Sequence, residues 1–166
     1  MTDWPWAWLD PGAWQWLGQT APSRAMRGAL WLYPLVNGLH LLGMALLIGP
    51  ILVLDWRLLR HRAGDALEPL ARHLLPFARA GFGIAVPAGL LMFIARPGDY
   101  VANGLFQAKL CLLAAALVNI VVLHRSAGWR QTLAGGTPSR RVRVAAALSA
   151  SLWLAVLFLG RLIGYR

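Results

Sequence analysis

The sequence predicts an all-α polytopic membrane protein, a four-transmembrane-helix bundle with an N-terminal tryptophan-rich interfacial helix. Of the 166 residues, 58% are hydrophobic and only 13% are charged, which leaves too little polar surface to cover a soluble domain. Apolar runs of roughly the 20 residues needed to cross a bilayer core recur along the chain. The basic residues gather between these runs.

The first segment, residues 1–27, is predicted to lie on the periplasmic surface of the membrane. Asp10 as N-cap and Pro11 at the first helical position predict a short amphipathic helix. Its residues Ala13, Trp14 and Leu17 share one face. The segment lacks the basic start and apolar stretch of a cleaved signal peptide, so it is expected to remain on the protein. Indole rings favour the level of the lipid headgroups, and five tryptophans fall here: Trp4, Trp6, Trp8, Trp14 and Trp16.

Residues 28–166 are predicted to form a single four-helix transmembrane domain, with spans at about 29–56, 74–95, 105–124 and 144–161. The first span contains 27 residues without a charge, between Arg27 and Asp55. Trp31 and Tyr33 are expected to mark its outer interface and Trp56 its inner one. Glycine and alanine recur within the spans, as in helices that pack closely in lipid.

The distribution of arginine predicts the topology. The loop at 55–79 carries five arginines, and the loop after the third span carries Arg125, Arg130, Arg140, Arg141 and Arg143. Because basic loops stay in the cytoplasm, both termini are expected to be periplasmic, in a bacterial inner membrane. This distribution accounts for the formal net charge of +10. Nucleic acid is therefore not an expected partner.

Polar residues inside a span are costly, so each is a candidate functional residue. Asn37 and His40 share a face of the first span, and Met44 continues it. Lys109 lies near the outer end of the third span, where it either snorkels to water or serves a function. Asn119 and His124 lie near the inner end of that span. At the inner end of the first span, Asp55 and Arg57 are interpreted as structural anchors, with Asp55 paired to an arginine.

For His40 the sequence leaves several interpretations open. The structural interpretation is a histidine hydrogen-bonded to a carbonyl or to Asn37. A haem b bound between helices requires two imidazole ligands at the same depth in the membrane. His40 and His124 are separated by roughly 15–20 Å along the membrane normal. A haem at His40 would therefore take its second ligand from another subunit, whereas His73 and His124 match in depth. A quinone contact is a further interpretation, and His40 with Met44 suits copper, though two ligands do not make a site.

The chain lacks the sequence motifs of hydrolases, kinases and dinucleotide-binding enzymes, so it is not expected to be an enzyme on its own. The interpretation is a redox-associated membrane subunit that binds haem or contacts quinone through an in-span histidine. The alternatives are a structural or accessory subunit of a larger membrane complex, and copper handling through His40 and Met44. Expected partners are the lipid bilayer and other membrane subunits or further copies of the chain. The candidate cofactor-binding residues are His40, His124, Asn37, Lys109 and Asn119.

Three stretches together resemble an uncharacterised bacterial family of four-span integral membrane proteins. They are "WLYPLVNGLHLLGMALLIGPILVLDWRLLR", "LLPFARAGFGIAVPAGLLMF" and "GLFQAKLCLLAAALVNIVVLH". The resemblance covers about residues 28–124 and implies the four-span fold, but no established activity. A fainter similarity links the in-span histidine and following glycines to the copper-resistance membrane family. The family pattern includes His40, Gly43, Asp55, Arg57, Gly81, Gly89, Phe106, Lys109, Asn119 and His124.

Overall fold

The computed structural model describes residues 11–62 and 66–164, and these residues form eight α-helices. Four of the eight, α3, α4, α6 and α8, are long and apolar enough to cross a membrane. The prediction of an all-α, four-span membrane protein is therefore confirmed. The expectations for Trp4, Trp6, Trp8, Asp10 and the side chain of Ala13 lie outside the described residues. The bounds are α1 Pro11–Gly18, α2 Ala21–Gly28, α3 Leu32–Leu59, α4 Leu67–Ala95, α5 Pro97–Val101, α6 Gly104–Arg125, α7 Ala127–Leu133 and α8 Arg140–Ile163.

The four long helices alternate in direction, which defines two ends of the bundle. We call the end where α3 begins and α8 finishes the terminal side. The opposite end, which carries the α3–α4 and α6–α8 loops, is called the arginine side. Helix α4 begins at Leu67, before the apolar stretch of the second span, which starts near residue 74. This first part of the helix is stabilised because Leu67 and Ala71 are buried in the bundle, while Arg72 is exposed. The helix therefore extends beyond its apolar stretch.

Side-chain caps fix the starts of α6, α7 and α8. Asn103 Oδ1 accepts a hydrogen bond from the backbone N–H of Leu105 at 2.9 Å. Ser126 Oγ accepts one from Trp129 at 3.1 Å, and Ser139 Oγ accepts one from Val142 at 3.4 Å. Each cap satisfies a backbone donor that the first turn of a helix leaves unpaired.

The packing order around the bundle is α4, α3, α8 and α6. Helix α3 packs against both α4 and α8, and α8 packs against α6. Although only the short α5 connects them, α4 and α6 bring no Cα atoms within 8 Å of each other in the described chain. The α4/α6 side is therefore the side on which the bundle is not closed by backbone packing.

The tightest helix contact joins Gly43 of α3 to Gly81 of α4. A Cβ atom placed on Gly43 would lie 2.5 Å from the Ala85 nitrogen and 2.9 Å from the Gly81 oxygen. A Cβ atom placed on Gly81 would meet the backbone of Gly43 and Leu47. In lipid, helices gain little from apolar burial and associate through close backbone packing of this kind. Both positions therefore require glycine.

Three clusters of buried side chains fill the interior. One lies at each end and one lies between them. The cluster on the terminal side comprises Met26, Val36, Ala88 and Ala95. The cluster on the arginine side combines leucines and alanines with Val142 and Trp129. The central cluster comprises Leu47, Ile48, Ile51, Ala78, Ala116 and Trp153.

A second short helix, α2, follows α1, where the sequence analysis expected only one. Arg27 ties the two short helices to the bundle. Its guanidinium donates to the Ala95 carbonyl at 2.6 Å, to the Gly18 carbonyl at 2.6 Å and to Ser23 Oγ at 2.7 Å. Ser23 is buried beside this junction. The N-terminal helices are thus held against the terminal end of α4.

Replacing Gly81 by alanine is expected to destabilise the bundle. The added Cβ would push α3 away from α4, and overpacking of this kind costs about 1–3 kcal/mol. The measurement is thermal unfolding in detergent, followed by circular dichroism. Gly83→Ala on the same helix is the matched control, because nothing lies within 4 Å of its added Cβ. Equal midpoints for the two variants would contradict the proposed role of this contact.

Candidate cofactor site beneath an aromatic layer

Aromatic rings cover the interior at the terminal side. Phe93 of α4 stacks on Phe106 of α6, with ring centroids 5.6 Å apart and planes 6° from parallel. Tyr100 of α5 contacts both rings, at 6.2 and 5.1 Å. Trp14 of α1 meets Phe93 edge-on at 5.7 Å. We call Trp14, Phe93, Tyr100 and Phe106 the aromatic layer.

Helix α3 joins the aromatic layer through Tyr33. A side-chain hydrogen bond links the phenols of Tyr33 and Tyr100. Burial, followed by this hydrogen bond, raises the pKa of Tyr100, so its phenol stays protonated at neutral pH. The layer therefore connects α3, α4, α5 and α6 around one neutral polar link.

His40 lies two turns below Tyr33 on the same face of α3, about 10 Å deeper along the helix. Its Nδ1 lies 2.8 Å from the carbonyl oxygen of Ala85 in α4. Because a carbonyl only accepts, Nδ1 carries the hydrogen, and in the neutral ring Nε2 then keeps its lone pair. Among the described residues, Nε2 has no hydrogen-bond partner. The structure thus orients this imidazole and leaves one nitrogen available.

Gly89 makes room for the imidazole. A Cβ at this position would lie 3.1 Å from His40 Cε1 and 3.3 Å from Nδ1. Any side chain here would press on the ring and strain its hydrogen bond to Ala85. Gly89 follows Gly81 and Ala85 at intervals of four, so it lies on the face of α4 that contacts α3.

Lys109 lies one turn below Phe106 on α6, and its side chain points into the bundle. A Cβ placed on Gly160 of α8 would lie 3.1 Å from the Lys109 Nζ. The ammonium is close enough for its charge to act on His40. Within the described residues, no carboxylate pairs with it. Of the two interpretations left open by the sequence, the inward position favours a function over snorkelling.

One signal in the sequence already distinguished this residue. The chain has 16 basic side chains, and Lys109 is the only lysine among them. A lysine presents a compact charge on a flexible stem, whereas arginine presents a rigid planar fork. The singular lysine therefore stands apart from the arginines of the loops.

Beneath His40 and Lys109 the interior becomes apolar again. Met44 lies one turn below His40, and Leu113 lies one turn below Lys109. Both pack against the central cluster, as does Phe82 of α4. The histidine and the lysine therefore form a polar layer between aromatic rings on one side and aliphatic side chains on the other. Within this layer His40 joins α3 to α4, and Lys109 joins α6 to α8.

Asn37 lies on the same stripe of α3, between Tyr33 and His40, and is half-buried. In the described part of the chain its amide makes no hydrogen bond to His40. The carbonyl of Ala85 holds the histidine instead. Asn37 thus borders the polar layer without orienting it.

The remaining histidines and Asn119 lie on the arginine side, away from His40. His124 Nδ1 is 2.9 Å from the Ile120 carbonyl of its own helix, and its ring lies 4.9 Å from Trp129. Asn119 donates to the Ala145 carbonyl at 3.0 Å and joins α6 to α8. His73 is exposed, with Nδ1 2.7 Å from the Pro69 carbonyl. Fifteen residues separate Lys109 from His124, about 22 Å of helix, so His124 does not belong to the polar layer.

A metal centre finds few ligands here. Among the described residues there is no group of three or more His, Cys, Asp or Glu side chains that would hold a metal ion. His40 and Met44 share a helix face, but they supply only two ligands. Cys111 is exposed on α6.

The structure gives Asp55 a different environment from the one expected. The carboxyl is only 4% exposed, and its hydrogen-bond partner is Ser149 of α8 rather than an arginine. Arg57 is exposed beyond it. Sequence reasoning missed both Ser149 and the buried Trp153. Helical spacing along α8 was the available signal, because residues 149, 153, 156 and 160 fall on one face.

The expected interface residues lie at the two ends of α3. Trp31 and Tyr33 are exposed on the terminal side. Trp56 is exposed on the arginine side, with the Arg60 guanidinium 4.5 Å above its ring. These exposed rings are placed as membrane-interface anchors would be.

The hydrogen bond from His40 to Ala85 predicts one tautomer. In ¹⁵N-histidine NMR of the protein in lipid, neutral His40 is expected to carry its proton on Nδ1, with Nε2 unprotonated. Gly89→Ala is expected to weaken this preference because the added Cβ displaces the ring, whereas Gly83→Ala leaves it unchanged. A wild-type signal with the proton on Nε2 would refute the assigned geometry.

No family model, curated protein or solved structure matches this chain when it is compared with them. The fold and the site therefore rest on the residues described above. Because one fold can carry many functions, the function has to be argued from this site.

Proposed function

We propose that the protein is a redox-associated subunit of the bacterial inner membrane that contacts a quinone or quinol headgroup through His40. The observation that carries the proposal is the inward-facing Lys109, which has no carboxylate partner among the described residues, in the same polar layer as an imidazole that Ala85 orients. Such groups are costly in a bilayer and mark functional sites by default.

The two side chains complement the two oxygens of a quinol. One hydroxyl would donate to His40 Nε2, whose partner nitrogen is already held by Ala85. Lys109 would donate to the other oxygen and stabilise negative charge that develops there. As two electrons pass to a redox centre in a partner subunit, His40 takes the proton of the first hydroxyl and water takes the proton of the second, which leaves the quinone. This chain binds and orients the headgroup, and the partner accepts the electrons.

The α4/α6 side favours a ligand that arrives through the lipid. Backbone packing closes the α3/α4, α3/α8 and α8/α6 sides, but not this one. The aromatic layer covers the polar layer from the terminal side. A lipid-soluble quinone would therefore enter laterally, between α4 and α6.

Haem b is the second candidate, favoured by the orientation of the same imidazole. Metal-bound histidines commonly donate their other ring N–H to a carbonyl, as His40 does to Ala85. His40 Nε2 would then be an axial ligand, and Lys109 would pair with a propionate. Because His73 and His124 lie on the arginine side, any second axial ligand would come from another subunit or a second copy. Copper has only His40 and Met44 to support it.

The proposed topology places the site in the periplasmic half of the membrane. It follows from the arginine-rich loops, which would be cytoplasmic, with both termini periplasmic. The family resemblance adds support, because the side chains that build the site are part of its pattern. They are His40 and Lys109, with Gly43, Gly81 and Gly89 as their supports.

A redox subunit without catalytic motifs works with partners, and this holds equally for the structural or accessory alternative. Gentle solubilisation followed by native electrophoresis tests both. A lone chain of 18.2 kDa plus detergent would count against any larger assembly.

Quinol binding is expected to depend on both polar side chains. A short-chain ubiquinol analogue, titrated into protein in lipid nanodiscs, should bind the wild type, and both His40→Ala and Lys109→Met should weaken binding about tenfold or more. Each loses a hydrogen bond that involves a charged or ionising group, worth about 1.5–3 kcal/mol. His73→Ala is the matched control and should bind as the wild type does. Equal affinity in all four proteins would exclude the site.

The absorption spectrum of the purified protein separates the two cofactors. A haem would give a Soret band that changes with dithionite and is lost in His40→Ala but kept in His124→Ala. A spectrum without that band removes haem and leaves the quinol measurement to decide.

A further inference from the structure

A second polar site lies on the arginine side, between α3 and α8, and makes no use of His40 or Lys109. Its centre is Asp55, one turn before the end of α3. The Ser149 hydroxyl donates a hydrogen bond to the carboxyl group. The other oxygen, Oδ2, is buried and has no hydrogen-bond partner among the described residues.

A second unpaired group lies close to it on α8. Trp153 is fully buried, and its Nε1 also lacks a hydrogen-bond partner in the described part of the chain. It follows Ser149 by one helical turn, on the same face. Its ring packs with Ile51, which precedes Asp55 by one turn on α3. An unpaired donor and an unpaired acceptor therefore occupy adjacent turns of two packed helices.

The directions of the two helices turn these groups toward each other. Side chains in an α-helix lean toward the N-terminus of their own helix. Since α3 and α8 are antiparallel, Asp55 leans toward the bundle centre and Trp153 leans toward the arginine side. Buried polar groups in this arrangement are typically satisfied by an internal water molecule.

No side chain with a fixed charge is buried beside Asp55 in the described structure. The arginines on the neighbouring elements are exposed, and the half-buried His124 packs on Trp129. A carboxylate buried in a protein without a counterion is costly, so the site needs a proton or a polar partner beyond Ser149. The charged and titratable side chains at this end of the bundle include Arg57 of α3, the half-buried His61 of the α3–α4 loop, Arg72 and Arg79 of α4, His124 of α6, Arg130 of α7 and Arg143 of α8.

We propose that Asp55, Ser149 and Trp153 form a proton-exchange site, in which internal water bridges Asp55 Oδ2 and Trp153 Nε1. A hydronium ion from the arginine side gives its proton to the carboxylate, which leaves a neutral carboxylic acid and a water molecule. The reverse step returns the proton. The site stands about 22 Å along α3 from His40, so it does not rest on the proposed cofactor.

Infrared spectroscopy of the protein in lipid bilayers tests the proposal directly. Acidification of the wild type should produce, beside the carbonyl stretching bands of the exposed carboxylic acids, a separate band that shifts in heavy water and is absent in Asp55→Asn. Ser149→Ala and Trp153→Phe should each displace the midpoint of this band by about one pH unit, because each removes a donor to the site.

The chain offers matched controls for each change. Ser151→Ala removes an exposed hydroxyl that bonds only to Ala147 of its own helix, at 2.9 Å. Glu68→Gln removes an exposed carboxyl from the first turn of α4. Both should leave the band and its midpoint unchanged.

Three outcomes would overturn the proposal. The first is the absence of the band at every pH at which the protein stays folded. The second is its persistence in Asp55→Asn. The third is a Ser149→Ala midpoint equal to that of Ser151→Ala. Circular dichroism checks the fold of each variant, and if Asp55→Asn does not fold, Ser149→Ala and Trp153→Phe decide.

Discussion

The backbone contact between Gly43 and Gly81 determines where the other parts of the polar layer lie. It presses α3 against α4, and the register that it sets brings His40, one turn before Gly43, onto the carbonyl of Ala85. Gly89, one further turn along α4, receives the imidazole ring. Apolar burial against lipid does little to hold such helices together, so the small residues carry this part of the packing. A single close approach thereby orients a histidine about 10 Å below the end of the bundle.

The interior holds two ionisable groups of opposite sign that do not meet. Lys109 lies in the terminal half and Asp55 in the arginine half. Paired, they would form a neutral structural link of the kind found in many membrane bundles. Separated by the central apolar cluster, each remains uncompensated in the described chain. This separation is consistent with one proposed site at each end of the bundle.

Much of the fold could be predicted from the sequence, because the charge-free runs indicate the membrane spans and the arginine clusters indicate the loops between them. The observed helix ends differ from the predicted ones where contacts of individual side chains, rather than hydropathy, determine them. Helix α4 extends beyond its apolar stretch because Leu67 and Ala71 are buried in the bundle. Helix α2 was not predicted, because it is held by Arg27, whose hydrogen-bond partner, the Ala95 carbonyl, lies 68 residues away in the sequence.

The sequence was sufficient to identify the polar residues of the site, but not the residues that they contact. His40 and Lys109 could be identified because polar groups in a span are costly, whereas Asp55 was interpreted as an anchor at the inner end of the first span. The arginine partner expected for Asp55 came from its neighbours in the sequence, yet residues two apart on a helix do not face each other. Arg57 is exposed rather than on the buried face with Asp55, and Ser149, 94 residues further along the chain, supplies the hydrogen bond. Such pairs depend on the order of the helices around the bundle, which cannot be inferred from neighbouring residues in the sequence.

The N-terminal helices add a constraint on how the proposed ligand would reach His40. Arg27 fastens α1 and α2 to the end of α4 through three hydrogen bonds, and Trp14 of α1 packs edge-on against Phe93. The aromatic layer is thus supported from outside as well as linked internally through Tyr100. A water-soluble ligand would have to displace these rings together with the helices that rest on them. A ligand dissolved in the bilayer, such as the proposed quinone, would instead approach between α4 and α6, where backbone packing does not close the bundle.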